Sequence, residues 1–92
     1  MKVTFTRQVM AKLGAFQADE SREVRELVRR LRSAASPVGK RIVAQLPTYE
    51  VSLSHTGVLI TYHVQSGTAC VETVLSVGGR RRVALGGDVS EP

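Results

Sequence analysis

The sequence has no tryptophan, two tyrosines and two phenylalanines. That is too few rings to lay under successive bases, which argues against a base-stacking platform for single strands. A single cysteine, Cys70, allows no internal disulfide. It is expected to be a small strand residue in a chain housed in a reducing cytoplasm. No stretch approaches the roughly 20 apolar residues needed to span a bilayer, so no membrane association is expected. The opening MKVTFTRQ has a lysine but no apolar run after it, and does not read as a secretory signal. Metal-ligand spacing, a phosphate-binding glycine loop and a nucleophile triad are all missing, so no metal, cofactor or small-molecule partner is expected. Acidic residues are also scarce, eight against thirteen Lys and Arg, for a net charge of +5. That balance favours an anionic partner, either nucleic acid or an acidic protein.

What the sequence does hold is concentrated in YEVSLSHTGVLITYHVQSGTACVETVLSVGGR, Tyr49 to Arg80. Tyr49–Leu53, Val58–Gln65 and Ala69–Val77 are rich in Val, Ile, Leu, Thr and Tyr and read as three strands. Ser54-His55-Thr56-Gly57 and Ser66-Gly67 supply turn residues, so an antiparallel meander is expected. Alternation gives each strand two faces. Val51, Leu53, Ile60, Tyr62, Val64, Val71, Leu75 and Val77 form the apolar one. Glu50, Ser52, Leu59, Thr61, His63 and, with no bulge, Cys70, Glu72, Ser76 and Arg80 form the other.

The cover for the apolar face must come from earlier in the chain. Lys2–Phe5 alternates as a first strand, and the Thr6 hydroxyl is placed to cap a helix. Val9, Leu13 and Phe16 follow at helical spacing, predicting a helix near Arg7–Ala18 despite Gly14. A second helix is expected over Glu20–Ser33, capped by Asp19 or Ser21. It buries Val24, Leu27, Val28 and Leu31, with arginines and glutamates on the other side. Glu26 and Arg30 at i,i+4 would add about 0.3 kcal/mol. Pro37 ends this helix, and Lys40 to Leu46 is expected to be irregular or partly helical. With 92 residues there is material for one domain. It is expected at residues 1–82, with 83–92 as a flexible tail.

The order strand, helix, helix, three strands resembles the RelE/ParE superfamily of toxins from bacterial type II toxin–antitoxin modules. VTFTRQVMAKL resembles the opening strand and capped helix of that family, and ESREVRELVRRL its second helix. LPTYEVSLSHTGVLITYHV resembles the tyrosine-led hairpin, and VLSVGGRRR the last strand. The resemblance implies an α+β fold: an N-terminal strand and a helical hairpin packed on one face of an antiparallel sheet with a three-stranded C-terminal meander. It also implies a cognate antitoxin as partner and either the ribosome with its mRNA or DNA gyrase as target.

Ribonuclease members of the family place cations and proton-transfer groups on the sheet face opposite the helices. Matched motif to motif, the family's basic positions fall here at Glu50, Ser52 and Leu59, none of them a cation. The terminal arginine is kept as Arg80, followed by Arg81 and Arg82, whereas a later tyrosine has no counterpart in Leu85-Gly86-Gly87. The catalytic candidates are Arg80, His63 and Glu50: a phosphate clamp, an imidazole acid or base, and a carboxylate base that needs a cation beside it. Nucleic-acid contacts are expected from Arg80, Arg81, Arg82, Lys40 and Arg41. Each has a plainer reading too: a solvated strand end for the arginines, a structural strand histidine for His63. His55 is expected in solvent, Tyr49 and Tyr62 in packing, and the helix arginines on a solvated face or against an antitoxin.

Overall fold

The computed structural model describes residues 1–76. Its elements run β1 (Lys2–Phe5), α1 (Arg7–Leu13), α2 (Ala18–Ser33), β2 (Lys40–Ile42), β3 (Thr48–Ser52), β4 (Val58–Gln65) and β5 (Thr68–Ser76). They make one five-stranded sheet in the order β1-β5-β4-β3-β2. The meander β3-β4-β5 is antiparallel as expected, while β1 joins its β5 edge in parallel, Val3 opposite Ala69 and Phe5 opposite Val71. The two helices lie on the face bearing Val51, Ile60, Tyr62 and Val71, which form a buried core with Val9, Val24, Leu27 and Leu31. No helix among the described residues is long and apolar enough to cross a membrane.

Local chemistry fixes the helix ends. The Thr6 hydroxyl accepts from the Val9 amide at 3.2 Å. The chain then leaves α1 at Leu13, short of the expected Ala18, with single-turn bonds from Ala15 to Lys12 and Phe16 to Leu13 carrying Phe16 back to the core. The second helix begins at Ala18 because its cap is Gln17, in extended backbone, with its amide donating to the Glu20 carboxylate at 2.9 Å. Glu20 is buried, and its other carboxylate oxygen accepts from Ser76 Oγ, tying β5 to the helix start. At the far end the Met1 amino group donates to the Leu31 and Arg32 carbonyls in the last turn of the helix, where Leu31 also accepts from the Ala34 amide. Glu26 and Arg30 do not come within 4.0 Å; among the described residues that contact is made by His63 and Glu72.

Two departures from the expected strands matter for the site. First, Lys40–Ile42 is a strand, not a loop or helix, paired antiparallel with β3 through Lys40–Glu50, Arg41–Tyr49 and Ile42–Thr48. Secondly, β5 bulges: Tyr62 faces Val71 but Thr61 faces Thr73, so Glu72 is an extra residue. Beyond the bulge the parity reverses. Val74 is buried in place of Leu75, which is 38% exposed opposite Leu59, and Ser76 turns toward Glu20.

The turns follow their residues. Ser66 and Gly67 both have positive φ, 52° and 73°, the geometry that matches the twist of a two-residue hairpin. The longer turn after β3 is tied to α2. Glu23 accepts from the amides of His55 and Thr56, both at 3.0 Å, and from the Thr56 hydroxyl at 2.5 Å. Burial pushes the Glu23 carboxyl up, but the Thr56 hydroxyl, the two amides and the nearby His55 outweigh it and hold it below the usual carboxylate range. A carboxyl depressed on folding stabilises the native state above its unfolded value, and that contribution is lost as pH falls through the lower folded value. Glu23→Gln is therefore expected to melt below the native chain at pH 7 and to match it in acid. Melting curves at both pH values check this, and a gap that widens in acid would contradict it.

Candidate functional site

The sheet face away from the helices collects the polar residues into two cross-strand rows. One runs Lys40, Glu50, Thr61, Thr73 across β2, β3, β4 and β5. The other runs Ile42, Thr48, His63, Cys70, Thr4, reaching β1. The Thr61 and Thr73 hydroxyls are hydrogen-bonded at 2.5 Å. His63 Nδ1 lies 2.6 Å from Glu72 Oε2.

This geometry brings together Glu50, His63 and Lys40 among the residues picked out from sequence. Lys40 stands directly across from Glu50, supplying the neighbouring cation that a carboxylate base there needs, although the two are not within 4.0 Å. Arg41 parts from Lys40: it is an exposed residue opposite Tyr49, so its register position belongs to the helix side of the sheet. His55 is exposed, with its amide held by Glu23. Arg80, Arg81 and Arg82 lie outside the described residues, as does the expected tail 83–92. Strict alternation puts Arg80 on the outer face only along a strand without a bulge, and the bulge at Glu72 removes that basis.

Two residues were undervalued by the sequence reading. Glu72 was assigned to the outer face without a partner; its contact with His63 is what the bulge creates. The signal was present as Val71-Glu72-Thr73-Val74, two polar residues between apolar ones where strict alternation allows one. Tyr62 is more than packing. Its ring is fully buried and stacks on Tyr49 with centroids 5.6 Å apart. Its hydroxyl accepts from the Val38 amide at 2.8 Å and donates to the Val38 carbonyl at 2.5 Å. Burial raises the phenol pKa above its ordinary value, which keeps that donated proton in place. The loop so pinned leads into β2 and hence sets Lys40.

By sequence, no family model and no curated protein matches the chain. By structure, it is similar to the isolated E. coli RelE toxin, with a TM-score of 0.64 and 17% identity, over 89% of this chain and 94% of that one. It is equally similar to a chain of the intact E. coli RelBE toxin–antitoxin complex, with a TM-score of 0.64 and 17% identity over 79% and 92% of the two chains. The chain has the RelE toxin fold. The described residues of that fold carry the elements read from the sequence motifs, from the capped first helix to the tyrosine-led hairpin. The outer face, however, has Glu50, Ser52 and Leu59 where the resemblance would put cations.

A second surface lies on the helix side. Phe5, Leu13, Val24 and Val28 floor an open groove of about 520 Å³ between β1 and the helices, rimmed by Arg25, Arg29 and Arg32. Among the described residues no carboxylate lies within 4.0 Å of these arginines.

Proposed function

We propose that this protein is the toxin component of a bacterial toxin–antitoxin module, a single domain over residues 1–82 that inhibits growth by binding the ribosome or its RNA. Messenger-RNA cleavage by it is weak or lost. The observation that carries this reading is the combination of a RelE-like fold over nearly the whole chain with an outer face that has kept its polar character but little of its positive charge. Phosphate binding falls to Lys40 on that face and to Arg80, Arg81 and Arg82, with Arg41 at the sheet edge. The missing cations favour one second reading, a member that acts without catalysis: a gyrase-inhibiting toxin, or a chain that retains only its antitoxin.

The antitoxin partner fits the arginine-rimmed groove. An amphipathic segment would set apolar residues on Phe5, Leu13, Val24 and Val28 and carboxylates on Arg25, Arg29 and Arg32. Co-expression with the adjacent reading frame should relieve a growth defect and yield a co-purifying pair. A chain that purifies alone beside that product would count against the module.

For the target, ribosome and RNA binding should weaken as salt rises, because each phosphate contact releases counterions. Arg80→Ala should weaken it further and flatten that salt dependence. Binding indifferent to both changes, with gyrase inhibited instead, would favour the second reading.

A further inference from the structure

Among the described residues the outer face contains one pair of titratable side chains already in contact, and phosphate binding gives one of them no task. Glu72 is the residue that the bulge adds to β5, without a cross-strand partner of its own. Its carboxylate meets His63 Nδ1 at 2.6 Å. An ionised carboxylate only accepts, so Nδ1 carries a ring proton, and in the base form of the imidazole the free lone pair is the one on Nε2. Among the described residues Nε2 has no hydrogen-bond partner. The His63 side chain is 15% exposed and that of Glu72 40%. Imidazole, Cys70 and Thr4 stand side by side across three strands, and with Ser66 and Thr68 they line a shallow hollow of about 330 Å³. The other charged groups at register positions on this face are Glu50 and Lys40 toward the β2 edge and Lys2 on β1.

We propose that Glu72 is the positioning residue of a proton-transfer site in which His63 Nε2 takes the proton of a ribose 2′-hydroxyl seated in this hollow. The proposal rests on the RNA-binding reading above and names the chemistry of the same face. In the step, the 2′-oxygen bonds to the adjacent phosphorus as its proton moves to Nε2. The bond from phosphorus to the 5′-oxygen breaks, and the departing oxygen takes a proton from water. The products are a 2′,3′-cyclic phosphate and a 5′-hydroxyl, and the imidazolium then returns its proton to solvent. A positioned base contributes on the order of 10²–10⁴ in rate. Without a set of cations around the phosphate, the result is slow cleavage.

The test uses the full chain, a short single-stranded RNA, and the same oligonucleotide made entirely of deoxyribose. Slow cleavage of the RNA to cyclic-phosphate ends, with the DNA spared, is expected. Glu72→Gln should lower turnover about 10²-fold while RNA affinity stays within about twofold, because the amide no longer holds one tautomer. Glu72→Asp should recover part of the loss, and adding Glu72→Gln to His63→Ala should cost nothing further. Nitrogen-15 spectra give a readout independent of turnover: the proton sits on Nδ1 in the native protein and redistributes toward Nε2 in Glu72→Gln. Cleavage at the native rate by Glu72→Gln would overturn the proposal, as would a native Nε2–H tautomer. RNA bound but not cut would overturn the site and leave the toxin reading standing. A chain that binds neither RNA nor ribosomes would sink both.

Discussion

Tyr62→Ala is expected to destabilise the protein by about 3–5 kcal/mol, the usual cost of deleting a buried aromatic ring. The ring is fully buried in the centre of β4, between the helices and the sheet, and stacks on Tyr49. A domain of this size has a total stability of roughly 5–14 kcal/mol, so the variant should sit close to its unfolding threshold at 37 °C. Tyr62→Phe separates the ring from its hydroxyl. It keeps the packing but leaves the Val38 amide and carbonyl without the partner that served both, for a loss of about 1–3 kcal/mol. Urea denaturation of the two variants checks the order. A Phe variant as damaged as the Ala variant would mean that the hydroxyl, not the ring, dominates.

The same loop explains Gly39. Its φ is +103°, and a Cβ there would meet the Glu50 carbonyl oxygen at 2.6 Å and Val51 Cγ2 at 2.7 Å. The backbone passes so close to β3 that only glycine fits. One residue later the chain is paired with Glu50 as β2. Two contacts far apart in sequence, the Tyr62 hydroxyl and the β3 backbone, therefore make a strand of Lys40–Ile42.

This is why that strand was not legible from the sequence. Three residues are too few to show a period of two, and the forces that extend them come from β3, six to ten positions on, and from the Tyr62 hydroxyl, 24 positions from Val38. The hairpin signals at Ser66-Gly67, the Thr6 cap and the apolar stripe of α2 were legible because each is settled within a turn or two of chain. The outer face was legible only up to the bulge. His63 and Glu50 were placed correctly because β3 and β4 pair without irregularity between Thr48 and Ser52. Leu75 and Ser76 were misplaced because one extra residue exchanges the two faces of everything after it. The same extra residue produced the His63–Glu72 contact, which strict alternation does not contain.

Charge placed back on the outer face should have the largest effect on activity. Glu50, Ser52 and Leu59 occupy the positions where the resemblance expects basic residues, and Ser52 and Leu59 are directly opposed across β3 and β4, with Glu50 two residues from Ser52 on the same face. Loss of one donor to a developing oxyanion commonly costs on the order of 10²–10³ in rate. Three such losses do not simply multiply, since groups that act together are non-additive, but together they would account for the weak cleavage proposed above better than any change in the base. Glu50→Lys, Ser52→Lys and Leu59→Arg combined should therefore raise mRNA cleavage on translating ribosomes by at least about 10²-fold. Substitution at Glu50 also sets a lysine directly across from Lys40, a like-charge pair whose cost is of the order of 0.2–1 kcal/mol and small beside the gain. The substituted residues are half-buried or exposed, so the core is untouched and the variant should melt near the native chain. The decisive comparison is rate against affinity. Tighter ribosome binding with no faster cleavage would show that the added charges grip phosphate without reaching the reacting one, and would place the limit on catalysis elsewhere. Faster cleavage that disappears when His63→Ala is added would join the two halves of the site, cations from β3 and β4 and a base held by Glu72.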